Sequence, residues 1–237
     1  MGIENESVVI IGGSSGMGLA IAKEAADAGA AAVIIAGRSQ GKLDEASRVI
    51  AGDVASYIVD LSEEGSVMKL FQSIGSFDHL VVTGSSVKTG QLRELSLADA
   101  RASMDSKFWG AYMAAGYAQI RPKGSITLFS GILSRRPSPG LASLAAINAA
   151  VEALGRALAL ELAPIRVNVV SPGLTDTPAY ATMPDDARKG MFAAAAKRLP
   201  VGRVGKPEDI ASLTLELMRN NFLTGLVIDV DGGAMLV

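Results

Sequence analysis

Ser7-Val8-Val9-Ile10-Ile11-Gly12-Gly13-Ser14-Ser15-Gly16-Met17-Gly18, running on into Leu19 to Gly29, is the stretch that decides the architecture. Apolar residues at successive positions make Ser7 to Gly12 a strand buried on both faces. The Ala-rich run after it reads as a helix whose end is marked by Gly29. Between the two, the glycines stand as G-x-x-x-G-x-G. Gly12 permits a tight turn, Gly16 lets the backbone approach a diphosphate, and Gly18 lets the helix pack closely on the strand, leaving the helix N-terminus to face a phosphate charge. The competing reading is a tight turn with no ligand, and the strand-loop-helix context weighs against it.

Working outward, the same alternation recurs along the chain. Strands are expected near Ala32 to Gly37, Ser56 to Val59, His79 to Thr83, Ser125 to Ser130, Arg166 to Ser171 and Leu226 to Val230, with helical patterns between them. Such alternation builds βαβ units on a parallel sheet, and fully apolar runs such as AVIIAG and HLVV require helices on both faces. The expectation is an α/β doubly wound parallel sheet of about seven strands in three layers. Residues 1–237 form one domain in this reading, with an insertion at about 174–207, the one long segment without a strand.

Composition removes several function classes. The 237 residues are 49% hydrophobic and 19% charged, with 22 Lys and Arg against 24 Asp and Glu, a balance that disfavours a nucleic-acid partner. With no cysteine and the single histidine His79, disulfides, thiolate chemistry and a metal cluster are not expected. The beginning Met1 to Glu6 carries no apolar leader, and the longer uncharged stretches are broken by Gly, Pro and Ser, so the expectation is a soluble cytoplasmic protein without a membrane span. His79 lies inside a strand pattern and reads as a structural histidine rather than a base.

The end of the second strand, Ile35-Ala36-Gly37-Arg38-Ser39, lacks the carboxylate that would hydrogen-bond the ribose hydroxyls of NAD or S-adenosylmethionine. Arg38 instead offers a planar fork for a 2′-phosphate, which favours NADP(H), the alternative being a solvated loop arginine. Asp60-Leu61 after the third strand adds an adenine contact.

At this point the chain resembles the short-chain dehydrogenase/reductase family over essentially its whole length. The likeness is carried by the G-x-x-x-G-x-G loop, Asp60-Leu61, Asn168 with Ser171-Pro172-Gly173, Thr177-Pro178, the run Gly202-Arg203-Val204-Gly205-Lys206-Pro207-Glu208-Asp209-Ile210, and Asp231-Gly232-Gly233. The resemblance implies a Rossmann-type sheet and a nicotinamide cofactor across its carboxyl edge. It further implies a homo-oligomer, often a tetramer, built on two long helices, here Leu97 to Gln119 and about Leu141 to Ala163. The implied cofactor contacts are Gly12, Ser14, Ser15, Gly16, Met17, Gly18, Arg38, Asp60, Leu61, Thr83, Gly84, Lys107, Asn148, Pro172, Gly173, Leu174, Thr175 and Thr177.

The family's chemistry uses Ser, Tyr and Lys, with an Asn on the preceding long helix. Aligned on Asn148-Ala149-Ala150-Val151-Glu152-Ala153-Leu154, the lysine position holds Asn148, the tyrosine position Leu144, the serine position Gly131, and the asparagine position Lys107. The fourth-strand N-N-A-G motif is replaced by Val82-Thr83-Gly84-Ser85, and Ile11 stands where Thr is usual. Lys107 and Asn148 are the family's Asn and Lys exchanged. Since those two side chains approach through water beside the nicotinamide ribose, the exchange preserves an ammonium and an amide there, unless it is drift to two unrelated polar residues. Lys107, Ser130 and Asn148 are the candidate catalytic residues, and no metal site is expected. Arg135-Arg136 reads either as a bidentate anion subsite or as a solvated loop. Two functions remain open: an NADP(H)-dependent oxidoreductase with a non-standard proton donor, its small-molecule substrate unread, and an NADP(H)-binding regulator or scaffold without catalysis.

Overall fold

A computed structural model describes residues 3–237. Its strands are β1 Ser7–Ile11, β2 Ala32–Gly37, β3 Val54–Ile58, β4 Ser76–Val82, β5 Gln119–Phe129, β6 Arg166–Pro172 and β7 Val227–Val230. They form one seven-stranded sheet in the order β3-β2-β1-β4-β5-β6-β7, every neighbouring pair parallel. The helices are α1 Gly16–Asp27, α2 Gln40–Ser47, α3 Glu64–Ile74, α4 Leu97–Met104, α5 Gly110–Tyr117, α6 Ala142–Glu161, α7 Asp185–Ala196 and α8 Pro207–Arg219.

The unbroken apolar runs have the expected cause. Val9 and Ile11 of β1 enter one core with Phe71 of α3, Ala111 of α5 and Val151 of α6. Val8 and Ile10 enter the other with Ile21 of α1, Leu43 of α2 and Leu215 of α8. The central strands therefore alternate between two apolar cores instead of between core and water. This is the Rossmann-type doubly wound α/β fold. From β1 the chain winds outward to β3 and then crosses to β4, so strand order reverses between β1 and β4 and opens a crevice beyond their carboxyl ends.

β3 and β4 begin two and three residues before the expected Ser56 and His79, and two larger differences lie beyond them. The helix expected from Leu97 to Gln119 is three pieces: α4, a π-helical turn Asp105–Trp109, and α5 ending at Tyr117. Gly116 weakens its last turn, and Gln119 and Ile120 pair with Ser76 and Phe77, so the ladder satisfies backbone groups that another helical turn would have used. For the same reason β5 begins at Gln119 rather than Ser125.

The 174–207 segment is closed at its base, where Thr175 and Gly205 form a parallel bridge, and it carries α7. Asp209 accepts from Arg203 at 2.6 and 2.7 Å and from the Lys206 backbone N–H at 2.7 Å. The Arg203 hydrogen bonds hold the Asp209 carboxyl at about 2. The Gly202-to-Ile210 motif thus forms the closed base of this segment and the start of α8.

Among the described residues α6 alone is long and apolar enough to cross a membrane. Its Ile147, Val151 and Leu158 are buried, and Val151 and Leu158 belong to the core shared with the sheet. His79 is 2% exposed, with Nδ1 2.8 Å from Ser125 Oγ and Nε2 2.8 Å from Glu6. Both ring nitrogens are partnered inside the fold, as a structural histidine requires.

Candidate active site

The crevice is a cleft of about 460 Å³. One wall is the glycine loop, Gly12 with Ser14 to Gly18. Gly37, Arg38, Ser39 and Lys42 form the rim beyond β2. Asp60, Leu61, Thr83, Gly84, Ser85 and Ser106 lie along the floor and far side, and Thr177 to Ala179 close it. The glycines are steric requirements. A Cβ at Gly12, whose φ is +92°, would lie 2.4 Å from Gly84 N, and one at Gly18 would lie 2.2 Å from Gly12 O. Only bare backbone lets β1, α1 and the end of β4 meet this closely. Ser15 precedes α1 and makes no side-chain cap, so the first N–H groups of that helix lack a side-chain acceptor and are available to an anion.

The charges divide the cleft. Arg38 and Lys42 supply two cations at the β2 rim, one helical turn apart, and no carboxylate stands at the end of β2. Asp60 accepts from Ser62 Oγ at 2.7 Å and Ser62 N at 2.9 Å. These hydrogen bonds, aided by Arg38, hold its carboxyl below the usual range, so it is ionised at neutral pH.

Next to the cleft-lining Ser106 the π-turn carries Lys107. Ser106 Oγ accepts from Ser86 N at 2.8 Å, which ties the turn to the loop after β4. Lys107 Nζ donates to Asn148 Oδ1 at 2.7 Å and to the Ser130 carbonyl at 3.1 Å. Burial alone pulls its pKa down to about 8. The exchanged pair is in direct contact, whereas the resemblance implied an approach through water. Asn148 Nδ2 donates to the Gly131 carbonyl at 3.3 Å, and Leu144 sits one helical turn before Asn148 on α6.

The Ser130 hydroxyl is turned elsewhere. It donates to Glu152 Oε1 at 3.1 Å, and only the Ser130 carbonyl meets Lys107. Of the sequence-derived cofactor contacts, Gly12, Ser14 to Gly18, Arg38, Asp60, Leu61, Thr83, Gly84 and Thr177 line the cleft. Lys107, Asn148, Pro172, Gly173, Leu174 and Thr175 do not. Thr175 is buried, with its hydroxyl donating to Gly173 O at 3.1 Å inside its own loop.

Arg135 and Arg136 are exposed loop residues, as the solvated-loop reading expects, but both side chains are engaged within the chain rather than set as an anion fork. Arg135 pairs with Asp229 and reaches Ser171 Oγ at 3.3 Å, and Arg136 donates to the Ala234 carbonyl. Sequence reasoning missed Lys42, Ser85, Ser106 and Glu152. Lys42 was discoverable, lying four residues beyond Arg38 at the opening of a helix. Glu152 was not, since an acid within an Ala-rich helix reads as a surface position.

The chain matches the family profile described as Enoyl-(Acyl carrier protein) reductase over residues 12–235. Among curated relatives, the short-chain dehydrogenase/reductase ATR9 of Stachybotrys chlorohalonatus is 36% identical across 99% of this chain and 98% of its own. The 3-oxoacyl-[acyl-carrier-protein] reductase FabG of Thermotoga maritima is 31% identical across the whole of both. A solved small-chain dehydrogenase in complex with NADPH superposes with a TM-score of 0.84 at 41% identity, covering 99% of this chain and 100% of that one. The reductase/Diels-Alderase MalC from Malbranchea aurantiaca superposes with a TM-score of 0.92 at 29% identity over 99% and 98%. With the fold, the glycine loop and the insertion base all in place, the chain belongs to the short-chain dehydrogenase/reductase family of oxidoreductases.

Proposed function

We propose that the chain is an NADP(H)-dependent oxidoreductase interconverting a carbonyl and an alcohol, with Lys107 as the proton donor or relay. One observation carries this reading. A buried ammonium, drawn to about 8, is held by Asn148 and Ser130 beside the nucleotide cleft, where Gly131 and Leu144 offer no hydroxyl.

The cleft fits the cofactor by its own chemistry. The N-terminus of α1 and the glycine loop would hold a diphosphate, and Arg38 with Lys42 a 2′-phosphate. The NADPH held by a relative of the same fold supports the assignment. When bound, NADP(H) supplies the hydride. Lys107 has three donors, two of which are engaged by Asn148 and Ser130, so one N–H remains for a reacting oxygen. With its pKa near 8 the group is mostly protonated at neutral pH and close enough to neutrality to give up a proton readily.

Replacing Lys107 with Met should leave NADPH bound and lower kcat by about 10²- to 10⁴-fold, the usual range for a positioned acid. Turnover at the wild-type rate would overturn the assignment. The substrates for this test are a panel of ketones, aldehydes and quinones.

A second reading, an NADP(H)-binding regulator without catalysis, is favoured by the missing hydroxyls at Gly131 and Leu144 and by the commitment of Arg135 and Arg136 to the C-terminal segment. NADPH binding with no consumption across the same panel would select it. We also propose a homo-oligomer, in the simplest case a tetramer. Trp109 and Tyr112, stacked edge to face, are about half exposed, and Leu97 and Leu160 are more exposed still, on the paired helical layer of α4, α5 and α6. Light scattering at micromolar concentration decides this, and a monomer there refutes it.

A further inference from the structure

We propose that Glu152 is a positioning residue for Lys107, acting through the turn that follows β5. The inference rests on the reading of Lys107 as proton donor.

Glu152 is a buried carboxylate on the Ala-rich helix α6. Its Oε1 accepts from two hydroxyls at once, Ser130 Oγ at 3.1 Å and Ser134 Oγ at 2.5 Å. These residues bracket the turn Gly131 to Leu133. One helical turn earlier, Asn148 Nδ2 donates to the Gly131 carbonyl at 3.3 Å. The turn is therefore gripped by α6 at three points, two of them on one carboxylate oxygen. What the grip fixes is the Ser130 carbonyl, the second acceptor of Lys107 Nζ. Glu152 and Lys107 thus bind opposite sides of one residue without binding each other.

The remaining charge near Glu152 is accounted for. Arg135 Nε stands 4.0 Å from its other oxygen, and Arg135 is itself paired with Asp229 and close to Asp231. Against Lys107, α6 presents the neutral Asn148 and β5 a backbone carbonyl. The expected influence of Glu152 on Lys107 therefore runs through hydrogen-bond geometry rather than through charge.

The experiment follows the side-chain ¹³Cε signals of lysine-labelled protein across pH, with the Lys107 signal identified by its loss in Lys107→Met. Glu152→Gln keeps an oxygen acceptor for both serine hydroxyls, and its Lys107 should titrate as in the wild type. Glu152→Ala removes the acceptor, frees the Ser130 carbonyl and takes one partner from the ammonium. Since hydrogen bonds to the charged form favour it, the Lys107 titration should fall by about half a pH unit or more. Ser130→Ala cuts the same link from the other end, keeps the backbone carbonyl, and should move the titration the same way.

The Ser130 variant also keeps the test available if Glu152→Ala does not fold. A Lys107 titration unchanged in Glu152→Ala or in Ser130→Ala overturns the proposal, as does a Glu152→Gln shift as large as that of alanine, which would trace the effect to charge. Lys107→Met with wild-type turnover would remove the proton-donor reading instead, and it leaves the titration result standing.

Discussion

The rim of the cleft makes a quantitative prediction about cofactor choice. Arg38 and Lys42 both line the cleft beyond β2, along with Gly37 and Ser39, and no acid stands at the strand end. A 2′-phosphate seated there gains a charge-assisted hydrogen bond from Arg38, an interaction of about 1.5 to 3 kcal/mol. Arg38 is exposed, and Lys42 remains when it is removed, so the loss belongs at the lower end. Arg38→Ala should weaken NADPH by about 1.5 to 2 kcal/mol, roughly 10- to 30-fold in Kd. NADH lacks the phosphate and should change by less than about twofold, within the scatter of a surface substitution. Calorimetric titration of both cofactors with both proteins measures the difference directly. Repeating it at higher salt should shrink the NADPH effect, because exposed charges are screened. Equal losses for the two cofactors would refute the 2′-phosphate assignment, whatever their size.

The buried His79 gives stability a signed pH dependence. Burial pulls its pKa below the ordinary value despite the Glu6 hydrogen bond, so the unfolded chain takes up the proton first. The stabilisation is complete above about pH 6.5 and is lost as pH falls from there through the depressed folded pKa, with a slope of at most about 1.4 kcal/mol per pH unit. His79→Gln should flatten that part of the wild-type melting curve against pH, and identical slopes would count against it. A restoration experiment tests how far the site differs from its family. Lys107→Asn, Gly131→Ser, Leu144→Tyr and Asn148→Lys together should produce carbonyl reductase activity if only the acid-base group is missing. A folded, NADPH-binding but silent quadruple variant would show that the substrate pocket differs too. Gly131→Ser alone should be poorly tolerated, since a Cβ there would stand 3.0 Å from Asn148 Nδ2, an amide that the quadruple variant removes.

The sheet was legible because its central strands feed two apolar cores and so carry near-continuous apolar runs, unbroken in β1 and β2. The phosphate loop was legible because its glycines answer local contacts, Gly12 against Gly84 and Gly18 against Gly12, that no other residue type allows. What stayed hidden depends on partners far away in sequence. The π-turn at Asp105–Trp109 has no periodicity of its own to distinguish it from α-helix. It is tied down by Ser86 N on Ser106 Oγ and, one turn earlier, Lys88 N on Ser103 Oγ at 3.0 Å. Arg135 finds Asp229 from 94 residues away, and Glu152 finds Ser130 from 22. In each case a charged or polar residue is engaged by a donor or acceptor that only the fold brings near, and Glu152, Ser103 and Ser106 are buried by it.

The exchange of Lys and Asn acquires a physical meaning from this geometry. In the arrangement the family resemblance implies, the ammonium is tethered on the long helix that also carries the tyrosine. Here it is tethered on the π-turn, and α6 supplies the amide that receives it at 2.7 Å. A lysine stem is long enough to cross to α6 and an asparagine is short enough to wait there, so with the two residue types on opposite elements from those the resemblance implies, the pair meets directly rather than through water. The consequence lies in what sets the proton affinity. No carboxylate touches Lys107, and its pKa is lowered by burial alone. A group tuned by desolvation is insensitive to salt, unlike one tuned by a neighbouring charge at the surface. It also sits nearer neutrality than a free lysine, which is what the proposed role as proton donor near pH 7 requires. In the proposed reading an ammonium on the π-turn takes the place of the missing tyrosine hydroxyl, and the proton would pass through Lys107.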